Sequence, residues 1–179
     1  RAMFRIETSL ASSAVSVVPT VPDLDFSSDT GISVTDNITR LNNSSAGSVL
    51  SFTVGSTVVG ATIDILYGAN VIGSAVATGT TTTVVTNGLF TLPDGNVAIT
   101  ARQTEPAKTP SVSASSLNIV VDTVRPTTSA SYDREQTQDI TVTYSEDISS
   151  TLAASDFSVT NLTTSQPASP VGHFLLAQA

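Results

Sequence analysis

Apolar and polar residues alternate along several short segments of this chain. Leu50, Phe52 and Val54 alternate with Ser51 and Thr53, which is the period-two pattern of a half-buried β-strand. The same alternation recurs in residues 63–67, 97–101, 117–121, 140–144 and 157–159. No segment carries a sustained apolar stripe at helical spacing, so the pattern predicts an all-β chain folded as an antiparallel β-sandwich.

Turn signals separate these segments. Gly68-Ala69-Asn70 lies between two apolar segments and predicts a hairpin, because glycine readily adopts a positive φ. Pro93-Asp94-Gly95-Asn96 predicts a turn before the next alternating segment. Residues 80–86 are mostly threonine and have little to bury, so we expect them to form a polar strand at a sheet edge.

The pattern divides the chain into three parts. Residues 1–22 form a leader, linker or edge strand, whose Val-rich end is stopped by Pro19 and Pro22. Residues 23–127 hold enough strands for one sandwich. Residues 128–179 have room for three or four further strands, which predicts a partial second sandwich with an uncovered face or edge.

The charge balance narrows the classes of partner. There are 15 acidic and 7 basic residues, which gives a formal net charge of -8. This charge disfavours nucleic acid and anionic membrane surfaces and leaves cations or carbohydrate as more plausible partners. No apolar run reaches the roughly 18 residues needed to span a bilayer, so we expect no membrane span. Disulfides and thiolate metal sites are excluded because the chain has no cysteine.

An acidic segment, PDLDFSSDTGISVTDNIT, precedes the first alternating strand. Calcium takes six to eight oxygen ligands, and a loop rich in carboxylates and carbonyls can supply them. The alternative is that these aspartates form Asx-turns and caps, as aspartate commonly does in loops. Two further aspartates occupy a turn and a domain boundary that a sandwich could bring to the same or the opposite end. The candidate Ca²⁺ ligands are Asp23, Asp25, Asp29, Asp36, Asp94 and Asp122.

Nothing in the sequence predicts a catalytic residue. His173 is the only histidine, and no Gly-x-Ser-x-Gly elbow surrounds any serine. The acidic pairs Glu146-Asp147 and Asp133-Glu135 could serve a glycosidase, but exposed turns explain them better. We therefore expect a protein that is not an enzyme.

Four ordered pieces between residues 23 and 127 carry a family resemblance: PDLDFSSDTGISVTDNIT, VVGATIDILYGANVIGSAVATG, LPDGNVAITARQTE and LNIVVDTVRPT. This succession resembles a bacterial Ig-like repeat of large secreted adhesins and surface proteins. Residues 128–165 resemble the first half of a second Ig-like class, found in surface-layer proteins. The chain departs from the repeat in TEPAKTPS, where Glu105 and Lys108 replace the usual Asp and Ala-Gly-Asn loop, so the cation contact of that Asp is not carried over.

The resemblance implies an Ig-like β-sandwich module, secreted or on the bacterial cell surface, that acts as a spacer or adhesive stalk. In some members calcium rigidifies the domain junctions. Expected partners are neighbouring Ig-like domains or identical subunits, and cell-surface carbohydrate or protein. One alternative is a fibre or surface-layer subunit in which residues 9–18 add as a strand to a neighbour. A carbohydrate-binding module is a weaker alternative, because the chain has no Trp and two of its three Tyr lie on apparent core faces.

Overall fold

The computed structural model describes residues 14–132, 140–146, 148, 152–153, 156, 160–161 and 166–167. Over these residues the chain is all-β and contains no α-helix, as the alternation predicted. Accordingly, none of the described residues belongs to a helix that could cross a membrane. The chain divides into two compact units between Thr123 and Val124.

The first unit contains two facing sheets. The strands are β1 (Asp23–Leu24), β2 (Ile38–Thr39), β3 (Ser51–Gly55), β4 (Thr62–Tyr67), β5 (Asn70–Val76), β6 (Thr81–Val85), β7 (Gly95–Thr104), β8 (Ser111–Val112) and β9 (Leu117–Val121). The small sheet has the order β1-β3-β6, and the large sheet has the order β2-β9-β7-β4-β5, with β8 paired to β7. All neighbours are antiparallel except β2 and β9, which are parallel.

A single apolar core joins the two sheets. Phe52 and Val84 enter it from the small sheet, and Ile63, Ile99 and Ile119 enter it from the large sheet, all with 0% exposure. Side chains of this size contribute roughly 1.5–3 kcal/mol each when fully buried. The shared core makes the first unit a β-sandwich, and the alternating segments supply its inward faces as predicted.

The predicted hairpin and polar edge strand are both present. β4 and β5 pair around Gly68, whose φ is 59°. β6 lies at the edge of the small sheet. The expectation that this strand buries little was wrong, because Thr82 is 7% exposed and Val84 is fully buried. The inward face of β6 carries Thr82 and Val84, whereas Thr81, Thr83 and Val85 are exposed.

The edges of the two sheets are short or meet each other. β1, β2 and β8 are two-residue strands. β5 and β6, the remaining edges, are joined by an antiparallel bridge between Gly73 and Thr86. A side chain at Gly73 would place its Cβ 2.8 Å from the carbonyl oxygen of Val85, so this close approach requires glycine.

Residues 14–20 are bonded to other segments of the first unit. Val15 forms a parallel bridge with Thr109, and the backbone N–H of Thr20 donates to the carbonyl of Gly55 at 3.1 Å. The prediction of an edge strand near Pro19 therefore corresponds to a bridge and scattered backbone hydrogen bonds. The first part of the predicted donor strand, residues 9–13, lies outside the described residues.

The second unit contains short antiparallel pairs. β10 (Thr128–Tyr132) pairs with β11 (Ile140–Tyr144), and β12 (Thr160–Asn161) pairs with β13 (Gln166–Pro167). In the first pair the register places Ala130 opposite Val142 and Tyr132 opposite Ile140, so one face of this hairpin is apolar. Several sequence candidates lie outside the described residues: the segment 157–159, Asp133, Glu135, Asp147 and His173.

Candidate functional site

The acidic loop, residues 25–37, connects β1 of the small sheet to β2 of the large sheet. Backbone hydrogen bonds fix both of its ends. The N–H of Asp25 donates to the carbonyl of Ser51 at 3.0 Å, and the N–H of Gly31 donates to the carbonyl of Ile38 at 2.8 Å. The loop therefore carries the chain from one sheet to the other along an edge of the sandwich.

Asp25 is held by hydroxyl groups of β3. Its Oδ1 accepts a hydrogen bond from Thr53 Oγ1 at 2.5 Å, and its Oδ2 accepts one from Ser51 Oγ. Two hydroxyl donors already satisfy this carboxylate without a cation. The neighbouring Asp23 is exposed.

Asp36 closes a local turn with backbone donors. Its Oδ2 accepts from the N–H of Ser33 and its Oδ1 from the N–H of Ile38, both at 3.0 Å. These two N–H groups, Ser33 first, hold the pKa of Asp36 below its ordinary value. This is the Asx-turn alternative that the sequence left open for the acidic segment.

Gly31 lets the carboxylate of Asp36 approach the backbone. A Cβ at this position would lie 2.7 Å from Oδ1 and 2.9 Å from Oδ2 of Asp36. It would also lie 2.9 Å from the Cβ of Ile38. Any side chain at position 31 must therefore displace Asp36.

Asp29 differs from the other aspartates of the loop because it is buried, with 3% of its surface exposed. Its Oδ2 accepts a hydrogen bond from the N–H of Asn37 at 3.0 Å. Its Oδ1 has no hydrogen-bond partner among the described residues. Burial raises the pKa of Asp29 above its ordinary value, and the adjacent carboxylate of Asp36 acts in the same direction against the Asn37 donor. Asp29 and Asp36 are therefore neighbouring carboxylates with opposite pKa shifts.

A pocket of ≈370 Å³ opens beside the loop. Phe26 and Val34 on its wall are 76% and 58% exposed. The pocket combines carboxylate oxygens with exposed apolar groups. Its lining residues are Asp23, Leu24, Asp25, Phe26, Asp29, Val34, Thr35 and Asn37.

Asp94 and Asp122 lie beside the point where the chain leaves the first unit. Asp94 Oδ1 accepts from the backbone N–H of Thr123 at 2.9 Å and from its hydroxyl at 2.8 Å. The N–H of Asp122 donates to Thr39 at 2.8 Å, just beyond the β2–β9 pairing, whereas Asp36 precedes β2. These two aspartates are thus placed together at the chain's departure point, apart from the Asp29–Asp36 pair.

The six candidate calcium ligands do not form one cage. In the part of the chain that the structure describes, no three acidic or histidine side chains converge on a possible metal position. The arrangement brings together Asp29 and Asp36, and it places Asp23 and Asp25 at the adjoining pocket. The described geometry therefore does not bring the six predicted ligands around one metal position.

A buried polar network that the sequence analysis did not identify fastens residues 14–20 to β7. Gln103 is 0% exposed; its Oε1 accepts from the N–H of Val58 at 2.9 Å, and its Nε2 donates to the carbonyl of Val17 at 2.8 Å. The backbone N–H of Glu105 donates to Ser16 Oγ at 3.0 Å. The same short segment is thus bound by one amide side chain and one backbone group.

Glu105 adds a charged contact to this network. Its Oε1 accepts from the N–H of Val17 at 2.7 Å, and its Oε2 pairs with Lys108 Nζ at 2.5 Å. Lys108, followed by the Val17 donor, holds the pKa of Glu105 below its ordinary value. A signal was present in the sequence, since Gln103 and Glu105 continue the two-residue phase of Val97, Ile99 and Ala101.

No model of a known protein family matches this chain, and no curated protein matches it.

Proposed function

We propose that this chain is a non-enzymatic structural module of an extracellular bacterial surface protein, with an Ig-like first domain that transmits load along a row of domains. Its partners in this role are neighbouring domains of the same kind. The observation that carries the proposal is that residues 14–20 lie at one end of the first unit, whereas its last residue, Thr123, lies at the other.

These two ends of the first unit are separated by the length of β7. Val17 contacts Gln103 and Glu105 at the C-terminal end of β7, whereas Thr123 contacts Asp94, which directly precedes its first residue. β7 has 10 residues. At about 3.3 Å per residue the two points lie roughly 30 Å apart along the strand. Modules connected in this way extend a stalk by nearly their whole length.

The strand order supports an Ig-like assignment. In the Ig pattern, strands A, B and E share one sheet, and strands C, F and G share the other. Here β1, β3 and β6 occupy the positions of A, B and E, and β4, β7 and β9 occupy those of C, F and G. The chain has no cysteine, so the inter-sheet disulfide of antibody domains is replaced by packing around Phe52.

The pairing of β2 with β9 suits a load-bearing role. The two strands run parallel. The N–H of Val120 donates to the carbonyl of Asn37, and the N–H of Asp122 donates to the carbonyl of Thr39, both at 2.8 Å. Force applied to opposite ends of the unit pulls β2 from its start and β9 from its end. Both hydrogen bonds are then loaded together in shear, whereas a peeled hairpin loses its bonds one after another.

Single-molecule pulling tests this proposal, and the cysteine-free chain allows unique thiol anchors. One variant carries Ala14→Cys and Thr127→Cys, which load the unit along its length. The control carries Thr62→Cys and Val76→Cys, a cross-strand pair at the open end of the β4–β5 hairpin. We expect a severalfold higher rupture force in the first geometry, because forced unfolding follows the unfolding barrier along the pulling direction. Equal forces would refute the load-bearing role.

The strand-exchange hypothesis gains no support from the fold. Residues 14–18 are the described part of its proposed donor segment, residues 9–18. The backbone N–H of Ser16 donates to the carbonyl of Thr109 at 2.8 Å, and Gln103 Nε2 donates to the carbonyl of Val17. Donation to a neighbour would break these contacts. The carbohydrate hypothesis also gains no support from Tyr67, which packs against Phe90 with ring centroids 5.8 Å apart.

A further inference from the structure

Asn87 and Gly88, shortly after the end of β6, form the only Asn-Gly pair in the sequence. In such a pair the backbone nitrogen of the glycine can attack the side-chain carbonyl carbon of the asparagine. The new carbon–nitrogen bond closes a five-membered succinimide, and the side-chain nitrogen leaves as ammonia with the proton of the glycine. Water then opens the ring to aspartate or isoaspartate. Glycine favours the attack because it has no side chain to hinder it.

In the folded chain the attacking nitrogen is bound by a buried amide. The N–H of Gly88 donates to Oδ1 of Asn43 at 2.7 Å, and both residues are buried, Asn43 with 0% exposure. Nδ2 of Asn43 donates in turn to the carbonyl of Phe90 at 2.9 Å, which fixes the orientation of this amide. The nitrogen of Gly88 must lose its proton to become a nucleophile, and the hydrogen bond to Asn43 retains that proton.

The two reacting residues are also held in place. Asn87 is exposed, but its Oδ1 accepts a hydrogen bond from the N–H of Leu89 at 3.0 Å. A Cβ on Gly88 would lie only 2.6 Å from the carbonyl carbon of Ser45, so the backbone at Gly88 is closely packed. Closing the succinimide ring rotates the backbone between Asn87 and Gly88. The contacts of Gly88 must therefore open before the reaction can occur.

We propose that Asn87 is a self-modification site that the buried amide of Asn43 keeps closed in the folded chain. When the hydrogen bond between Asn43 and Gly88 opens, Asn87 deamidates to isoaspartate and aspartate, with water as the co-reactant. This inference is independent of the load-bearing role proposed above.

Isoaspartate at position 87 is incompatible with the native contacts of this turn. It directs the main chain through the former side chain and so adds one carbon atom to the backbone. The N–H of Asn87 donates to the carbonyl of Ile72 at 2.7 Å, and Gly88 has no free space beside Ser45. A lengthened backbone cannot keep both contacts. A chain that has opened at this turn and reacted therefore carries a covalent record of the opening.

The experiment incubates the full chain in mildly alkaline buffer, one sample folded and one unfolded in urea, and follows Asn87 by peptide mapping with mass spectrometry. We expect Asn87 to deamidate at least tenfold more slowly in the folded sample. Hydrogen exchange of the Gly88 amide gives the fraction of open turn, and the folded-to-unfolded ratio of deamidation rates should match it within about threefold. After removal of urea, chains that carry isoaspartate should unfold at a lower Tm than unmodified chains.

Asn43→Ala removes the acceptor of the Gly88 N–H and should accelerate deamidation of Asn87 in the folded chain at least fivefold. Val97→Ala is the matched control, because it opens a cavity in the core and leaves the hydrogen bond between Asn43 and Gly88 in place. The proposal is overturned if Asn87 reacts equally fast in the folded and unfolded parent chain. It is also overturned if Val97→Ala, at an equal free energy of unfolding, accelerates the reaction as much as Asn43→Ala. If Asn43→Ala does not fold, the hydrogen-exchange comparison on the parent chain decides, and a folded-state rate above the open fraction refutes the proposal.

Discussion

Gln103→Leu tests whether a buried amide fastens the N-terminal segment to the first unit. The side chain of Gln103 is fully buried. It accepts from the N–H of Val58 at 2.9 Å and donates to the carbonyl of Val17 at 2.8 Å. Leucine has a similar volume but no polar atoms, so the substitution leaves one donor and one acceptor without partners.

The expected loss of stability follows from these two groups. A buried donor or acceptor without a partner costs about 1–3 kcal/mol. Val17 belongs to an exposed stretch, so water can partly replace the amide at its carbonyl, whereas Val58 lies deeper. We therefore expect a loss of about 2–4 kcal/mol in the free energy of unfolding. For a domain of roughly 100 residues this lowers Tm by about 8–16 °C.

Far-UV circular dichroism during urea and thermal unfolding measures the effect, because the chain has no tryptophan to report by fluorescence. Asn118→Leu is the matched control, since Asn118 is an exposed amide on β9. The control should change stability by less than about 0.5 kcal/mol. Limited proteolysis should cleave Gln103→Leu faster within residues 14–20. Equal unfolding midpoints for both variants would refute the reasoning.

Two further substitutions test a charge and a backbone conformation. Lys108 holds the folded-state pKa of Glu105 below its ordinary value. The ionised Glu105 therefore stabilises the folded state fully above its unfolded-state pKa of about 4.3, and this stabilisation is lost as the pH falls through the folded-state pKa. Glu105→Gln should therefore flatten the acid-side fall of the urea midpoint, and an unchanged slope would contradict this. Gly88→Ala should lose at least about 2 kcal/mol, because φ is 70° and its Cβ would lie 2.6 Å from the carbonyl carbon of Ser45. Gly68→Ala, with φ 59° and nothing within 4 Å, should lose only about 1 kcal/mol; equal thermal shifts would remove the steric argument.

The inward faces of the strands could be predicted because a half-buried strand has a strict two-residue period. Val97, Ile99 and Ala101 are buried as their spacing indicated, and the same phase leads to Gln103. The composition of β6 gave a wrong prediction of burial, because a polar residue can be buried when its hydroxyl has a hydrogen-bond partner. Thr82 is buried in β6 despite its hydroxyl, because that hydroxyl donates to Thr57 at 2.9 Å.

The hydrogen-bond partners of the aspartates could not be predicted from the clustering of these residues in the sequence. Asp25 binds hydroxyl groups that lie 26 and 28 residues away on β3, whereas Asp36 binds backbone groups of its own turn. Only the folded chain determines which donor reaches which carboxylate. For the same reason β2, which has two residues, could not be recognised, since its parallel partner β9 comes about eighty residues later in the chain.

In the row of domains proposed above, the bridge between Gly73 and Thr86 affects how neighbouring domains could pair. Strand edges of similar sequence, held at high local concentration, tend to pair with one another and aggregate. In the first unit β5 and β6 face each other across this bridge, and the other edge strands, β1, β2 and β8, are only two residues long. A missing side chain at one position thus limits the unpaired backbone that an adjacent copy could extend, which protects such a row from misfolding by strand exchange.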